Sequence, residues 1–426
     1  MTFDLSSFLL AVSTALDCAE QEIMNISSHH SKRCAYIALR IAARLDLSEE
    51  ERFDLCAYAL MHDNGITQAF LDQDWLEAGH EKNLKLMERF PDHCCIGEAN
   101  VASFPFLTEQ QNVILYHHEH YDGSGVFGKQ GDEIPLMAQI IGFADELDMK
   151  FDLKKFTVTS LPELKDYVQS ESGKRFAPEI VEAFLSICSS VDFWQALSNG
   201  EIQLAIERHL PEFVIFVDEE RALAITEVFS RIIDSKSTFT AEHSKGLREK
   251  AKQVAQFLAL PDEKNIQLQM AANLHDIGKL ATPKCILEKP AELSGEEFVV
   301  MKDHVYFTHV ILKDIQGLET VHQWASSHHE RIDGSGYPFG LSECDLPCEA
   351  QLLAALDVYQ ALTEERPYRA KMTHCDAIEI LSEHAEKGLF KEELVQVIDT
   401  VFTDGHEPII SKIPLCTENY LAVEAG

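Results

Sequence analysis

The chain has 426 residues, 46% apolar and 25% charged, with a formal net charge of −35. That length exceeds one ordinary core and suits two domains of roughly 200 residues. The excess of acid argues against a nucleic-acid polymer or an anionic membrane surface as the main partner, and a small anionic ligand is compatible only where a site supplies its own positive charge.

In chain order, the opening stretch MTFDLSSFLLAVSTALDCAE lacks the basic start of a secretory signal and reads as an amphipathic helix. No apolar run reaches the ~18 residues of a membrane span. The eleven cysteines are scattered without CxxC spacing. They read as reduced thiols, mostly small core residues, and predict a cytoplasmic location. His30, Cys34, Ile37, Ile41 and Leu45 share one helical face, as do His243, Leu247, Ala251, Val254 and Leu258. Ser48–Glu51, Thr108–Gln111 and Ser294–Glu297 fit capping boxes that open helices. The one sustained β-looking run, 213–217, is short, follows a proline and could equally start a helix. The boundary falls near Leu210-Pro211, giving domains 1–210 and 211–426.

An internal repeat organises the chain. The first half carries His30, His62-Asp63, His93, His117-His118 and Asp145. The second carries His243, His275-Asp276, His304, His328-His329 and Asp357 in matching order. Words match as well: HSKRCA at 30 with HSKGLR at 243, and HHEHYDGSG at 117 with HHERIDGSG at 328.

One histidine on an apolar helix face ordinarily fills a core position. Five imidazoles and two carboxylates on apolar helices would cost several kcal/mol of desolvation without a partner cation. The set therefore predicts metal binding by His243, His275, Asp276, His304, His328, His329 and Asp357. Imidazole and carboxylate without thiolate suit iron, manganese, zinc or nickel, and one carboxylate can bridge two such divalent ions, with Asp276 as the natural bridge. Such a centre polarises a phosphoryl oxygen and activates water, so no side-chain nucleophile is needed. Lys279, three residues after Asp276, reaches the same phosphate. Arg331 is a weaker candidate for the anion, Glu330 reads as orienting a ligand histidine, and Gly334 and Gly336 permit a loop.

HDIGK at 275, HHERIDGSGYP at 328 and LDVYQALTEERPYR from 356 resemble the HD-GYP family of the HD phosphohydrolase superfamily. The resemblance covers about 200 residues of the second half, with a weaker copy in the first. It implies an all-α fold of two tandem HD-type helical bundles and metal-dependent hydrolysis of a 3'–5' cyclic dinucleotide. Carried over by position, His243, His275, Asp276 and Asp357 would hold one ion, and Asp276, His304, His328 and His329 the other. Lys279 and Asp276 would act in catalysis. Arg366, Arg369 and Tyr337, with Lys279, would bind substrate, and Arg331 joins them only as the weaker candidate read from the residues.

Phe239 stands where some members carry a glutamate for a third metal, so two ions and a linear dinucleotide product are expected. Gln360 replaces the family's second aspartate after the last ligand, which puts one supporting hydrogen bond in question.

The first half keeps a full apparent ligand set: His30, His62, Asp63, His93, His117, His118 and Asp145. Ile66 takes the place of Lys279, Val126-Phe127 that of Tyr337-Pro338, and no Arg-Pro-Tyr follows Asp145. This predicts a degenerate, non-catalytic domain that supports or regulates the second, with a possible metal site of its own. A tandem with one worn copy resembles bacterial phosphodiesterases for 3',3'-cyclic GMP-AMP (cGAMP), which places that substrate ahead of cyclic di-GMP. The competing readings are a cyclic-dinucleotide receptor without turnover and another HD-type nucleotide phosphohydrolase.

Overall fold

The computed structural model describes residues 2–24, 27–69, 91–198, 200–211, 214–216, 218–237, 243–365 and 370–403. The chain forms two compact units, Thr2–Ile215 and Phe216–Gly426. Both are helical, and the fold is two tandem HD-type helical bundles.

The principal helices of the first unit are α1 (Leu5–Met24), α2 (His30–Ala42), α3 (Glu49–Leu60), α4 (Asp92–Val101), α5 (Leu136–Phe151), α6 (Leu161–Ser170) and α7 (Pro178–Ile187). In α2 only Arg40 escapes burial. That helix is therefore the axis of the unit, with α3, α5 and α7 packed on it. Ser48 opens α3 with a complete capping box. Thr108 opens no helix; its N–H and hydroxyl both donate to the Asp54 carboxylate at 2.6 Å. The buried Asp54 of α3 competes for the hydroxyl, and it anchors an irregular connection instead.

The second unit contains α8 (Glu219–Asp234), α9 (His243–Phe257), α10 (Asp262–Leu274), α11 (Gly295–Leu312), α12 (Glu319–Ala325), α13 (Cys348–Thr363), α14 (His374–Glu386) and α15 (Glu392–Phe402). From Leu268 to Leu274 every residue of α10 is buried, because α8, α9 and α12 surround it. Ser294 caps α11 with a second complete box. Of the β-looking run, Val214–Phe216 is a strand paired with Thr2–Asp4. These two three-residue strands form a minor sheet beside the helices. No described helix is long and apolar enough to cross a membrane.

Candidate metal centre

In the second unit α10 ends at Leu274 and His275 caps it. The chain then tightens into a 3-10 turn, Ile277–Ala281. Gly278 makes that turn possible, since a Cβ there would collide with the His304 carbonyl. Its N–H donates to Thr308 Oγ1 at 3.1 Å, and the Thr308 hydroxyl donates to the His275 carbonyl at 3.0 Å. The His-Asp turn is thus clamped onto α11, which sets His304 opposite Asp276. His328 and His329 follow α12, Asp357 comes from the middle of α13, and His243 opens α9.

All seven side chains converge. Asp276 lies at the middle: Oδ2 is 3.1 Å from His275 Nε2, and Oδ1 is 3.3 Å from His304 Nε2 and 3.7 Å from His328 Nε2. Asp357 Oδ1 is 3.0 Å from His243 Nε2 and 3.9 Å from His275 Nε2. The His329 ring centroid lies 4.3 Å from that of His328 and 5.3 Å from that of His304. The Nδ1 atoms of His275, His304 and His328 each sit on the carbonyl three residues back, at 2.8, 2.5 and 2.7 Å. Donation from Nδ1–H assigns the tautomer and turns the Nε2 lone pairs inward.

Those inward atoms have no well-aligned partner. Nε2 of His275, His304 and His328 and Oδ1 of Asp276 are buried without a hydrogen bond. Leaving buried polar atoms unsatisfied costs roughly 1–3 kcal/mol each, so a cation at their focus fits the donor set. His304 with His328 and His329, and His243 with His275 and Asp276, form two donor groups of metal-binding dimensions.

The electrostatics divide the histidines into two kinds: His328 and His329 are lowered, whereas His243 and His275, beside carboxylates, are raised. Burial and then the adjacent imidazole of His329 push His328 well below its usual range, and burial with His304 pushes His329 down to about 3. Both rings are neutral at physiological pH, with lone pairs free to accept a cation. Burial opposes charge on His243, yet hydrogen bonds to Asp357 and Glu364 raise it to about 10. Burial also opposes ionisation of Asp276, but His275 and Lys279 hold it well below the carboxylate range. Lys279 Nζ is ion-paired to Asp276 Oδ2, is one-fifth exposed, and faces a cavity of about 670 Å³ that also touches His243, His329 and Asp357.

Several supporting roles differ from those read in the sequence. Glu330 does not orient a histidine; its carboxylate accepts the N–H groups of Phe339, Gly340 and Leu341 at 2.7–3.2 Å and ties down the loop. Arg331 is turned inward: it donates to the Glu330 carbonyl at 2.8 Å and lies over the Phe390 ring at 4.8 Å. Tyr337 stacks near His329, with ring centroids 4.9 Å apart. Lys302, which the sequence did not single out, lies 5.4 Å from the Tyr337 ring centroid and 5.0 Å from that of Phe298. Glu364 was also missed, although it stands one helical turn after Gln360 on the same face. It holds His243 Nδ1 at 3.0 Å. Arg366 and Arg369 lie outside the described residues.

The first unit repeats the skeleton. His62 and His117 place Nδ1 on the carbonyls of Ala59 and Ile114 at 2.9 and 2.6 Å. Gly65 presses on the His93 carbonyl as Gly278 does on that of His304. Asp63 is 3.5 Å from His62, 3.7 Å from His93 and 3.9 Å from His117. Asp145 is 3.1 Å from His30, 4.0 Å from His62 and 3.7 Å from His118. Glu119 accepts N–H groups of the DGSG loop as Glu330 does. Ile66, by contrast, is a buried aliphatic side chain where Lys279 offers an ammonium group.

Several named proteins are similar to this chain over long stretches. The chain is 28% identical to 3'3'-cGAMP-specific phosphodiesterase 1 of Vibrio cholerae over 403 residues, 93% of this chain and 91% of that protein. It is 36% identical to the cyclic di-GMP phosphodiesterase response regulator RpfG of Xanthomonas campestris over 207 residues, 48% of this chain and 54% of that one. The crystal structure of the cyclic GMP-AMP-specific phosphodiesterase V-cGAP3 of V. cholerae superposes with a TM-score of 0.61 at 25% identity, covering 94% of this chain and 98% of that one. The HD domain family model matches residues 18–179 and again 227–394. Two matches that together span more than half of the sequence, each enclosing a His-Asp pair, make this chain a member of the HD domain family.

Proposed function

We propose that the protein hydrolyses one 3'–5' phosphodiester bond of a cyclic dinucleotide to give the linear dinucleotide, with 3',3'-cGAMP as the favoured substrate and cyclic di-GMP next. The observation that carries the reading is the pairing of a buried, unsatisfied His/Asp focus with the Lys279 ammonium group on one cavity wall. Relatives that align along almost the whole tandem chain are named for cGAMP, whereas RpfG aligns with half of it. That difference favours cGAMP.

Two divalent ions, iron or manganese first and zinc or nickel next, would be held by His243, His275, Asp276 and Asp357 on one side and by Asp276, His304, His328 and His329 on the other. Bound there, they supply Lewis-acid polarisation and an activated water. The chain's own contribution is positional. Carbonyl-anchored imidazoles keep their lone pairs aimed inward, and Asp276 stays ionised between them. Lys279 balances charge on a non-bridging phosphate oxygen, worth roughly 2–4 kcal/mol of transition-state stabilisation for one such donor. Phe298, half-exposed on the cavity wall, offers a face on which a purine stacks.

The second unit is the catalytic one in this reading. The first, with Ile66 in place of the lysine, supports or regulates it without turnover. The described cysteines are free thiols, which supports action in the cytoplasm. The test is to incubate the protein with manganese or ferrous iron and either cGAMP or cyclic di-GMP, then identify the products by chromatography. Linear dinucleotide, formed faster from cGAMP, is expected. Tight binding without product would instead make the protein a receptor.

A further inference from the structure

The first unit is more than a faded copy of the second, because two of its residues are better ligands than their counterparts. Cys34 stands where the second unit has Leu247, and Cys94 where it has Val305. Both thiols are fully buried. Each joins a different cluster: His30, Cys34, His62 and Asp145 place one donor atom apiece within 4.8 Å of one another, and so do His93, Cys94, His117 and His118.

The spacings within each quartet suit one small cation. Cys34 Sγ lies beside the His30 ring, 3.7 Å from Nε2 and 3.9 Å from Nδ1, so a turn of the thiol brings it onto the ion that Nε2 faces; that nitrogen is 3.1 Å from Asp145 Oδ1. Cys94 Sγ is 3.3 Å from His93 Nε2, which is 3.1 Å from His118 Nε2. A tetrahedral zinc site with nitrogen ligands at about 2.0–2.1 Å and sulfur at about 2.3 Å has ligand–ligand edges of roughly 3.3–3.8 Å. His62 Nε2, His117 Nε2 and Asp63 Oδ1 are buried and make no hydrogen bond. They point into the same spaces, and a cation would satisfy them. An aliphatic side chain fills the equivalent space in the second unit, so packing alone does not call for sulfur.

We propose that the first unit is a separate thiolate-containing metal site, in which Cys34 and Cys94 select zinc or a similarly thiophilic divalent ion. As each metal–sulfur bond forms, the thiol gives up its proton to solvent. Four protein donors per quartet make a closed, structural type of site. Buried Ile66 gives an incoming phosphate no charge at the position where Lys279 serves the second unit. The tandem thus carries two metal chemistries, imidazole–carboxylate in the second unit and imidazole–thiolate in the first. This holds whether or not the second unit hydrolyses a cyclic dinucleotide.

The test uses the full chain with His275→Ala and Asp276→Ala, which weaken the second centre. Metal content is measured after growth in zinc, and the ion is then exchanged for cobalt(II). At least one equivalent of zinc should remain, and cobalt should give a near-ultraviolet thiolate-to-metal charge-transfer band. Cys34→Leu and Cys94→Val, which install the residues of the second unit, should each reduce that band, and the pair should abolish it. Both substitutions keep the site apolar and packed, so circular dichroism should stay unchanged. Metal retained with no charge-transfer band overturns the proposal, as does a chain that binds no metal while folded.

Discussion

The Nδ1 atom of His243 lies 3.0 Å from Glu364 Oε2, across 121 residues of sequence. In the first unit the equivalent nitrogen, His30 Nδ1, lies 2.6 Å from Asp148, which Arg33 also grips through Nε and Nη2. The two units orient their first histidine with different carboxylates. Arg33 corresponds to Gly246 and Asp148 to Gln360. A side chain at 246 would collide with Gln360, whose amide instead donates to Glu364 at 2.9 Å. The hydrogen bond put in question by Gln360 is therefore present, moved one helical turn. Glu364→Ala should weaken metal binding at the second centre by about 10–100-fold with the fold intact, as removal of a ligand's outer partner typically does. Competition titration with a chromophoric chelator reads this; unchanged affinity would mean that Glu364 is only a neighbour.

Lys279 puts a positive charge beside the second centre where the first unit has Ile66. Lys279→Ala should lower kcat/KM by roughly 30–1000-fold, the range for loss of one preorganised charge-stabilising donor. Metal content should stay at the wild-type level, because the Lys279 ammonium group offers no lone pair and is no ligand. A variant that loses its metal would assign Lys279 to assembly of the centre, and one that turns over at the wild-type rate would remove it from the reaction.

How legible the centre was depends on the range of the physics involved. The His and Asp spacings were readable because polar residues on apolar helical faces must meet something inside, and two copies repeat the intervals. The two capping boxes that formed are local, within four residues. What sequence did not reveal is side-chain competition at a distance. Thr108 went to Asp54, 54 positions away. Glu330 went to three loop N–H groups rather than to a histidine, and Arg331 found Phe390 and a backbone carbonyl. Glu364 had a signal, a glutamate at i+4 from Gln360, but only the fold puts His243 against it.

Asp234 should give the second unit a measurable pH signature. Burial raises its carboxyl from the ordinary aspartate range to about 6, although Ser244 donates to it through both N–H and hydroxyl. A raised carboxyl pKa means that the folded state holds the proton more tightly. Its stabilising contribution is therefore complete below about pH 4 and lost as pH rises to about 6. Asp234→Asn removes that titration. In chelator-treated protein, wild type should lose stability relative to the variant between pH 4 and 6.5, by at most about 3 kcal/mol. Urea unfolding at several pH values checks this, and parallel curves for the two proteins would show that Asp234 titrates normally.

Gly278 tests whether the centre depends on the clamp between the His-Asp turn and α11. Its Cα sits so close to the His304 carbonyl that no side chain fits, and the helix that carries Thr308 and His304 would have to retreat. Overpacking of this kind costs typically about 1–3 kcal/mol. Gly278→Ala should therefore lower the melting temperature and also separate His304 from Asp276, which stand 3.3 Å apart. Metal affinity and turnover should fall together. Gly65→Ala, at the matching close approach to the His93 carbonyl and Gly97 N in the first unit, should destabilise to a similar degree but leave kcat of the folded fraction near wild type. If the Gly65 variant loses activity as fully as the Gly278 variant while remaining folded, the first unit takes part in the reaction.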